Sequence, residues 1–510
     1  MLTSGHDPWA VRSAPTIPVV PIDDRSPVII GVGQHVHRAD GLDDALDPVD
    51  LMDEAVRAAT RDAGLSAVPS PDSLRVIQMF SWRYGNPGAI LARRLGIDVR
   101  HHAYGPVGGN TPQSIVNLTA ASIQRGELDL AIVTGAEAWR TRMRARRADA
   151  TLEWERDPST PDAIGSELEM NLPAETDLGI VMPVQVYPMF ESALRAGAGR
   201  DVDAHLHHIA GLWSAMSDVA AENPYAWSQR SFTPDELATA GPDNRMIGLP
   251  YPKRLNSNND VDMGAAAIIC SAATAARLGV PRSQWVFVHA GTETHEHPFV
   301  SHRDEFTRTP AIEIGGRRVL ELAGLGVDDV ALVDLYSCFP SATQLGAASL
   351  GIALDRPLTL TGGMAFAGGP WNSYVLHAIA AMTTSLRERD GEHGLVWGNG
   401  GYVTKHSFGV YSTTPPAAGF RFDEPQAEVD ALPRRELATG TDAAGAGRVE
   451  GYTVMHDREQ RPELAIVSCR LADGRRAWGT SRDDDVTNAM CDGEWVGADV
   501  TLDAGATLRL

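Results

Sequence analysis

The side chains able to do covalent chemistry are few and oddly placed. The thiols are Cys270, Cys338, Cys469 and Cys491, and the first 269 residues contain none. No CxxC pair occurs, so a structural zinc site and a disulfide framework are not expected, and a reducing cytoplasm is the expected setting. Cys338 follows Tyr336 and Ser337, just after a segment that reads as a buried strand. A phenol there can hydrogen-bond an enolate or exchange a proton, or it can simply fill space. Cys338 can take part in chemistry or be a buried structural thiol. Asn399, in the run Gly398-Asn399-Gly400-Gly401, can orient a carbonyl or serve as a turn residue. Lys405 and His406 follow it; they offer a phosphate contact and an acid, or a solvated turn. His101, His102 and Tyr104 can reach a pocket or lie on the surface.

Two other clusters have readable chemistry. Arg140, Arg142, Arg144, Arg146 and Arg147 crowd together in a chain of 44 basic and 66 acidic residues, net charge −22. Guanidinium groups suit phosphate, and the alternative is a charged helix face paired with nearby acids. His289, His295, His297 and His302 alternate with Glu293 and Glu296, but without HExxH spacing, and no metal is expected. There is no GxSxG for a serine nucleophile. Gly31 and Gly33 begin a GxGxxG that Val36 interrupts, so dinucleotide binding is weakly supported.

The acidic balance argues against a nucleic-acid surface or an anionic membrane surface, though not against one small phosphate pocket. The longest apolar run, Gly264 to Ala276, is too short to span a bilayer. His6, Asp7 and Arg12 interrupt any signal-peptide core, and none is expected.

Elements must hold these residues in place. Residues 1–26 hold four prolines and read as an extended arm. Val28 to Gly33 reads as a buried strand. Asp47-Pro48 opens a helix whose apolar face runs Leu51, Met52, Ala55, Val56, Ala59, Ala63, and Gly64 ends it. A strand over Leu74 to Phe80 follows. Then a glycine loop at Gly108-Gly109 leads into a helix from Thr111-Pro112, a Gly126-Glu127 pair and a strand ending at Gly135. The same syntax returns from Gly368-Gly369-Pro370 through an apolar helix and Gly391-Glu392 to a strand ending at Gly398. Strand–helix alternation predicts a mostly parallel buried sheet, and the repeat predicts a duplicated α/β fold. The domain plan is a first half over 27–149, a helical insertion over 150–255, a second half over 256–420, a linker over 421–448 and a small all-β domain over 449–510.

These motifs resemble the thiolase superfamily, nearest the sterol-carrier-protein thiolase branch. The resemblance rests on Leu128–Trp139, Leu255–Arg277, Asp334–Phe339, Gly362–Pro370 and Gly398–Gly401, in that order, over roughly three quarters of the chain. The β appendix resembles that of thiolase-like proteins of type 1. The resemblance implies a duplicated thiolase fold, two α/β/α halves under a helical loop domain, with a small OB-like C-terminal domain. It also implies CoA or acyl-CoA as ligand with no tightly bound cofactor, and either a monomer or a dimer formed through the first half's edge strand.

The departures shape the functional expectation. The position of the family's cysteine nucleophile falls on Gly108 or Gly109, its activating histidine on Gly369, its second cysteine on Gly398 and its oxyanion-water residue on Tyr336. Acyl-cysteine turnover is therefore not expected. Gly108, Gly109, Gly369, Gly398 and Gly400 are expected to leave a thioester or oxyanion pocket lined by main-chain N–H groups. Tyr336, Cys338, Asn399 and His406 are the candidate catalytic side chains. Arg140, Arg142 and Arg144 are the candidates for the phosphates of CoA. Three functions follow: a thioester-binding protein with non-thiolytic, aldol-type carbon–carbon chemistry; a catalytically silent scaffold; and, weakest, an active acetyl-CoA acetyltransferase.

Overall fold

A computed structural model describes residues 22–510. Nearly all of the arm expected over 1–26 lies outside the described residues. The first half contains β1 (Pro27–Val36), α1 (Pro48–Asp62), β2 (Ser73–Val76), α2 (Pro87–Leu95), β3 (His101–Tyr104), α3 (Thr111–Gln124), β4 (Leu130–Ala138) and α4 (Trp139–Arg147). Next come β5 (Asp162–Ala163), α5 (Pro173–Asp177), α6 (Pro183–Gly197), α7 (Val202–Glu222), α8 (Pro234–Ala238), β6 (Met246–Gly248) and β7 (Tyr251–Pro252). The chain continues through β8 (Asp262–Ser271), α9 (Ala272–Arg277), β9 (Val286–His295), α10 (Pro310–Ala323), β10 (Val330–Leu335), α11 (Pro340–Leu350), α12 (Tyr374–Arg387), β11 (His393–Gly400) and β12 (Lys405–Ser412). The end of the chain holds β13 (Arg421–Asp423), α13 (Gln426–Asp430), β14 (Gly445–His456), β15 (Pro462–Leu471), β16 (Arg476–Ser481), α14 (Asp484–Asp492), β17 (Asp499–Leu502) and β18 (Leu508–Arg509).

Local sequence explains the elements that carry the site. Asp47 and Asp50 form a reciprocal capping box at the start of α1, and Gly64 follows its end in the left-handed region. Every residue of β4 and β8 is buried, as a continuous apolar run requires when both faces are covered. α3 packs against α12 and against strands of both halves. Its Ile115, Val116 and Ile123 are fully buried. Burying each such side chain contributes about 1.5–3 kcal/mol, so the rim of α3 is held firmly.

The main sheet runs β10-β11-β12-β9-β1-β8-β4-β2-β3-β5, with β13 added on β9. The two halves meet where Val28 and Ile29 of β1 pair with Phe287 and Val286 of β9. β8 lies antiparallel between β1 and β4. Residues 256–420, expected to open the second half, thus lend their first strand to the sheet of the first. The stretch over 421–448, read from composition as a linker, contains β13, α13 and the start of β14. β13 is only three residues long and is fixed by pairing with Ala290–Thr292, a tertiary contact invisible in local composition.

The C-terminal strands form a separate sheet, β16-β15-β14-β17-β18, which β6 of the insertion joins at β14. A buried latch fastens it to the body. Arg476, with no exposed surface, donates to the carbonyls of Val300, Ser301 and Arg303 and pairs with Glu450. Burial alone would raise the Glu450 carboxyl, yet Arg476 and Ser468 hold it below its ordinary value.

Candidate functional site

Four of the glycines singled out in the sequence, Gly108, Gly109, Gly398 and Gly400, meet at the N-terminus of α3. Here Gly108 and Gly109 face the turn between β11 and β12. The site is filled by neighbouring side chains. A Cβ on Gly109 would stand 2.0 Å from the Tyr336 hydroxyl and 2.5 Å from the Asn399 carbonyl oxygen. Gly109 is outside the left-handed region, so packing rather than backbone conformation excludes a side chain there. A Cβ on Gly398 would approach the Asn110 backbone to 3.0 Å, and one on Gly400 would meet Asn110 Oδ1 at 2.5 Å. Gly369 is closed by Ser257, whose Oγ would lie 2.1 Å from a Cβ. The main-chain donors are partly engaged too. Gly108 N–H donates to Asn372 Oδ1 at 3.0 Å, and Gly369 N–H donates to the Asn258 carbonyl at 2.8 Å.

The side chains expected around this centre are largely brought together. Tyr336, Cys338 and Asn399 are all buried. The Tyr336 ring packs edge-on against Tyr374 at 5.7 Å, and burial pushes its phenol well above the ordinary value, so it remains protonated. Burial pushes the Cys338 thiol up to about 12, which leaves almost no thiolate at neutral pH. Asn399 Nδ2 donates to the Tyr187 hydroxyl at 3.0 Å, and that hydroxyl donates to the Gly401 carbonyl at 2.8 Å and accepts from Val403 N–H at 3.1 Å. Tyr187 thereby pins the GNGG turn. Sequence reading missed Tyr187, Asn110 and Ser257. Only Asn110, next to the glycine pair, carried a local hint.

An open cavity of about 350 Å³ adjoins the α3 N-terminus. Asn110, Ser114, Glu167, Glu293, Lys405 and His406 border it. Trp397 Nε1–H donates to His406 Nδ1 at 3.3 Å, which assigns the imidazole proton to Nε2. Nε2 has no protein partner, and neither has Asn110 Oδ1 or Glu293 Oε1. Burial, helped by Arg303, holds His406 well below its ordinary pKa, so the ring is neutral. Burial lowers Lys405 against the pull of Glu167 and raises Glu293 to about 7.

The arginines stand apart from this cavity, on α4. Arg140 pairs with Asp260 at 3.2 Å, Arg142 donates to the Phe80 carbonyl, and Arg144 donates to the Ala39 carbonyl at 2.6 Å. His101 and His102, expected in a loop, lie on β3 with Tyr104, where His101 is exposed. The histidines of the 289–302 stretch bind carbonyls separately: His289 on Thr414, His295 on Glu296, His297 on Pro433. Among the described residues no group of three or more acidic, histidine or cysteine side chains gathers as a metal site. No helix among them is long and apolar enough to cross a membrane. The outer edge of β3 is covered by β5, through Ala103–Asp162 and Tyr104–Ala163.

The fold is shared with solved structures. A monomeric SCP2-thiolase-like protein type 1 from Mycobacterium smegmatis is 30% identical, with a TM-score of 0.81, over 96% of this chain and 99% of that one. The chain belongs to the SCP2-thiolase-like proteins of type 1. The model of the thiolase-like protein type 1 additional C-terminal domain matches residues 424–506 of this type 1 protein, beginning within the stretch read as a linker. The Ltp2–ChsH2(DUF35) aldolase is 18% identical with a TM-score of 0.56, over 77% of this chain and 98% of that one. An acetyl-CoA acetyltransferase from Syntrophomonas wolfei is 16% identical with a TM-score of 0.53, over 76% of this chain and 99% of that one. These two show the thiolase fold. No curated protein matches the chain.

Proposed function

We propose that this type 1 protein binds CoA or an acyl-CoA thioester without forming an acyl-enzyme. The carrying observation is the Tyr336 hydroxyl, 2.0 Å from where a nucleophile's Cβ would begin at residue 109. The ligand's reactive end is then received in the adjoining cavity, where Lys405, His406, Glu293 and Asn110 present polar atoms without protein partners or with shifted acidity. Aldol-type cleavage needs no nucleophile. It needs a base that takes the β-hydroxyl proton, so that a carbonyl forms as the Cα–Cβ bond breaks, a donor for the enolate oxygen left on the thioester, and return of that proton to Cα. Lys405 is the base in this reading, and His406 Nε2–H is the donor. Arg140, Arg142 and Arg144 remain the proposed phosphate contacts, through the N–H groups their present partners leave free. We also read the protein as a monomer, because β5 covers the edge strand of the first half, and the C-terminal sheet as an OB-like module carried in cis.

Calorimetric titration with CoA, acetyl-CoA and octanoyl-CoA tests this reading. Dissociation constants between about 1 μM and 1 mM are expected. Lys405→Met should weaken the acyl-CoAs about tenfold through loss of the hydrogen bond made by its amine. A folded protein that binds none of them overturns the reading. A second reading, a catalytically silent partner for another enzyme, is favoured by the packed centre itself, and it would stand if no CoA species binds.

A further inference from the structure

A second cleft, of about 680 Å³, lies on the first half beyond α4. Phe80, Trp82, Tyr84, Tyr104, Trp139 and Trp371 wall it. Three of the eleven tryptophans of the chain thus line one cleft, and Trp154 packs edge-on against Trp82 at 5.3 Å. The aromatic rings are locked against each other. Trp371 meets Phe80 at 5.3 Å and Trp139 at 5.0 Å, both edge to face. The charged lining is Arg83 and Arg142, and no Asp or Glu lines the cleft, although the chain as a whole is strongly acidic.

The backbone around the cleft is unusually well fixed. Glu137, fully buried at the end of β4, accepts from Phe80 N–H at 2.6 Å and Ser81 N–H at 2.8 Å. The Tyr104 hydroxyl accepts from Met79 N–H at 3.0 Å, and Asn372 Nδ2 donates to the Gln78 carbonyl at 2.8 Å. Trp371 itself is strained, with φ +46, a conformation that bulky L-residues avoid. Its indole Nε1–H is buried and has no acceptor in the protein. A strained tryptophan with an orphaned donor, set between two aromatic partners, goes beyond what packing alone demands.

We infer that this cleft is a binding site for a flat, mainly apolar ring compound carrying a carboxylate or similar oxyanion. The ring faces supply apolar and stacking contact. Arg83 and the free N–H groups of Arg142 attract the anion and repel a cation. Trp371 Nε1–H offers one further donor. The inference does not rest on the CoA reading: the walls are those of a different cavity, and Arg142 is the only residue common to the two.

The probe is 2-naphthoate, followed by tryptophan fluorescence on the full-length protein. Its neutral analogue 2-naphthylmethanol and the cation 2-naphthylmethylammonium are the controls. Naphthoate should bind, the neutral analogue about tenfold more weakly, and the cation more weakly still. Arg83→Ala combined with Arg142→Gln should weaken naphthoate about tenfold and leave the neutral analogue unchanged. Trp139→Leu should weaken both, with retained thermal unfolding showing that the fold survives. Absence of naphthoate binding, equal affinity for the cation, or indifference to the arginine substitutions overturns the inference. Loss of CoA binding alone does not touch it.

Discussion

Replacing Gly109 by alanine tests whether the family's reaction centre has been packed shut. The new Cβ would lie 2.0 Å from the Tyr336 hydroxyl, 2.6 Å from Tyr336 Cζ and 2.5 Å from the Asn399 carbonyl oxygen. Neither obstacle yields easily. Tyr336 is buried against Tyr374, and the Asn399 carbonyl belongs to the β11 backbone. Overpacking a core costs about 1–3 kcal/mol, and two rigid neighbours place this case near about 3 kcal/mol. Tyr336→Ala alone should cost about 3–5 kcal/mol through the cavity it leaves. In the double variant the ring is gone and only the Asn399 contact remains. It should therefore be less destabilised than the sum of the singles by about 1–2 kcal/mol. Equilibrium urea unfolding followed by tryptophan fluorescence measures all three. Additivity within about 0.5 kcal/mol, or a neutral Gly109→Ala, would refute the packing argument. Gly109→Cys should acquire no acetoacetyl-CoA thiolysis, and robust turnover would refute it from the side of chemistry.

Other expectations concern more distant parts of the molecule. Arg476→Met leaves Glu450 only the longer pairing with Arg470 at 3.4 Å and takes the donor from three carbonyls, and should cost about 3 kcal/mol, seen as faster proteolytic release of the C-terminal sheet; unchanged proteolysis would dismiss the latch. Because the Glu450 carboxyl is held below its ordinary 4.5, its contribution is present above that pH and is lost as the pH falls through the lowered value, so the same release should accelerate in acid. Glu293 titrates in the opposite sense: raised to about 7, it stabilises fully below about 4.5 and progressively less as the pH rises through 7. Glu293→Gln should flatten that decline by no more than about 3 kcal/mol between pH 5 and 8, and an unchanged pH profile would show that another group is responsible. Arg144→Ala should weaken CoA more than a phosphate-free acyl mimic, and equal loss for both would remove α4 from the phosphate site.

Much of this was legible in the sequence because it depends on local pattern. The helix from Asp47-Pro48 shows its cap, its apolar stripe and its terminal glycine within a single stretch. The repeated glycine loop, helix and strand predicted α3 and β4, then α12 and β11, correctly in kind and order. That residues 108 and 109 are glycines needed only the sequence. What packs against them was not legible. Tyr336 lies more than two hundred residues from Gly109, and Ser257 more than a hundred from Gly369; the fold alone makes them neighbours. The aromatic cleft was invisible for the same reason, since its walls come from four separate segments. The span over 421–448 misled because β13 and α13 are too short to show periodicity and form only against β9 and α10.

The place of β8 has a consequence for how the chain folds as it is made. This strand lies in the middle of the first half's sheet, between β1 and β4, yet it is encoded after the whole helical insertion. A nascent chain that has emerged only as far as α4 therefore holds β1 and β4 without the strand that joins them, and their apolar edges have no partner. The first half cannot close one domain at a time from the N-terminus; it must wait for residue 271 to leave the ribosome. Non-local pairing of this kind slows folding and prolongs the exposure of bare strand edges, which makes the interval between α4 and β8 the stage of synthesis at which a chaperone is most needed.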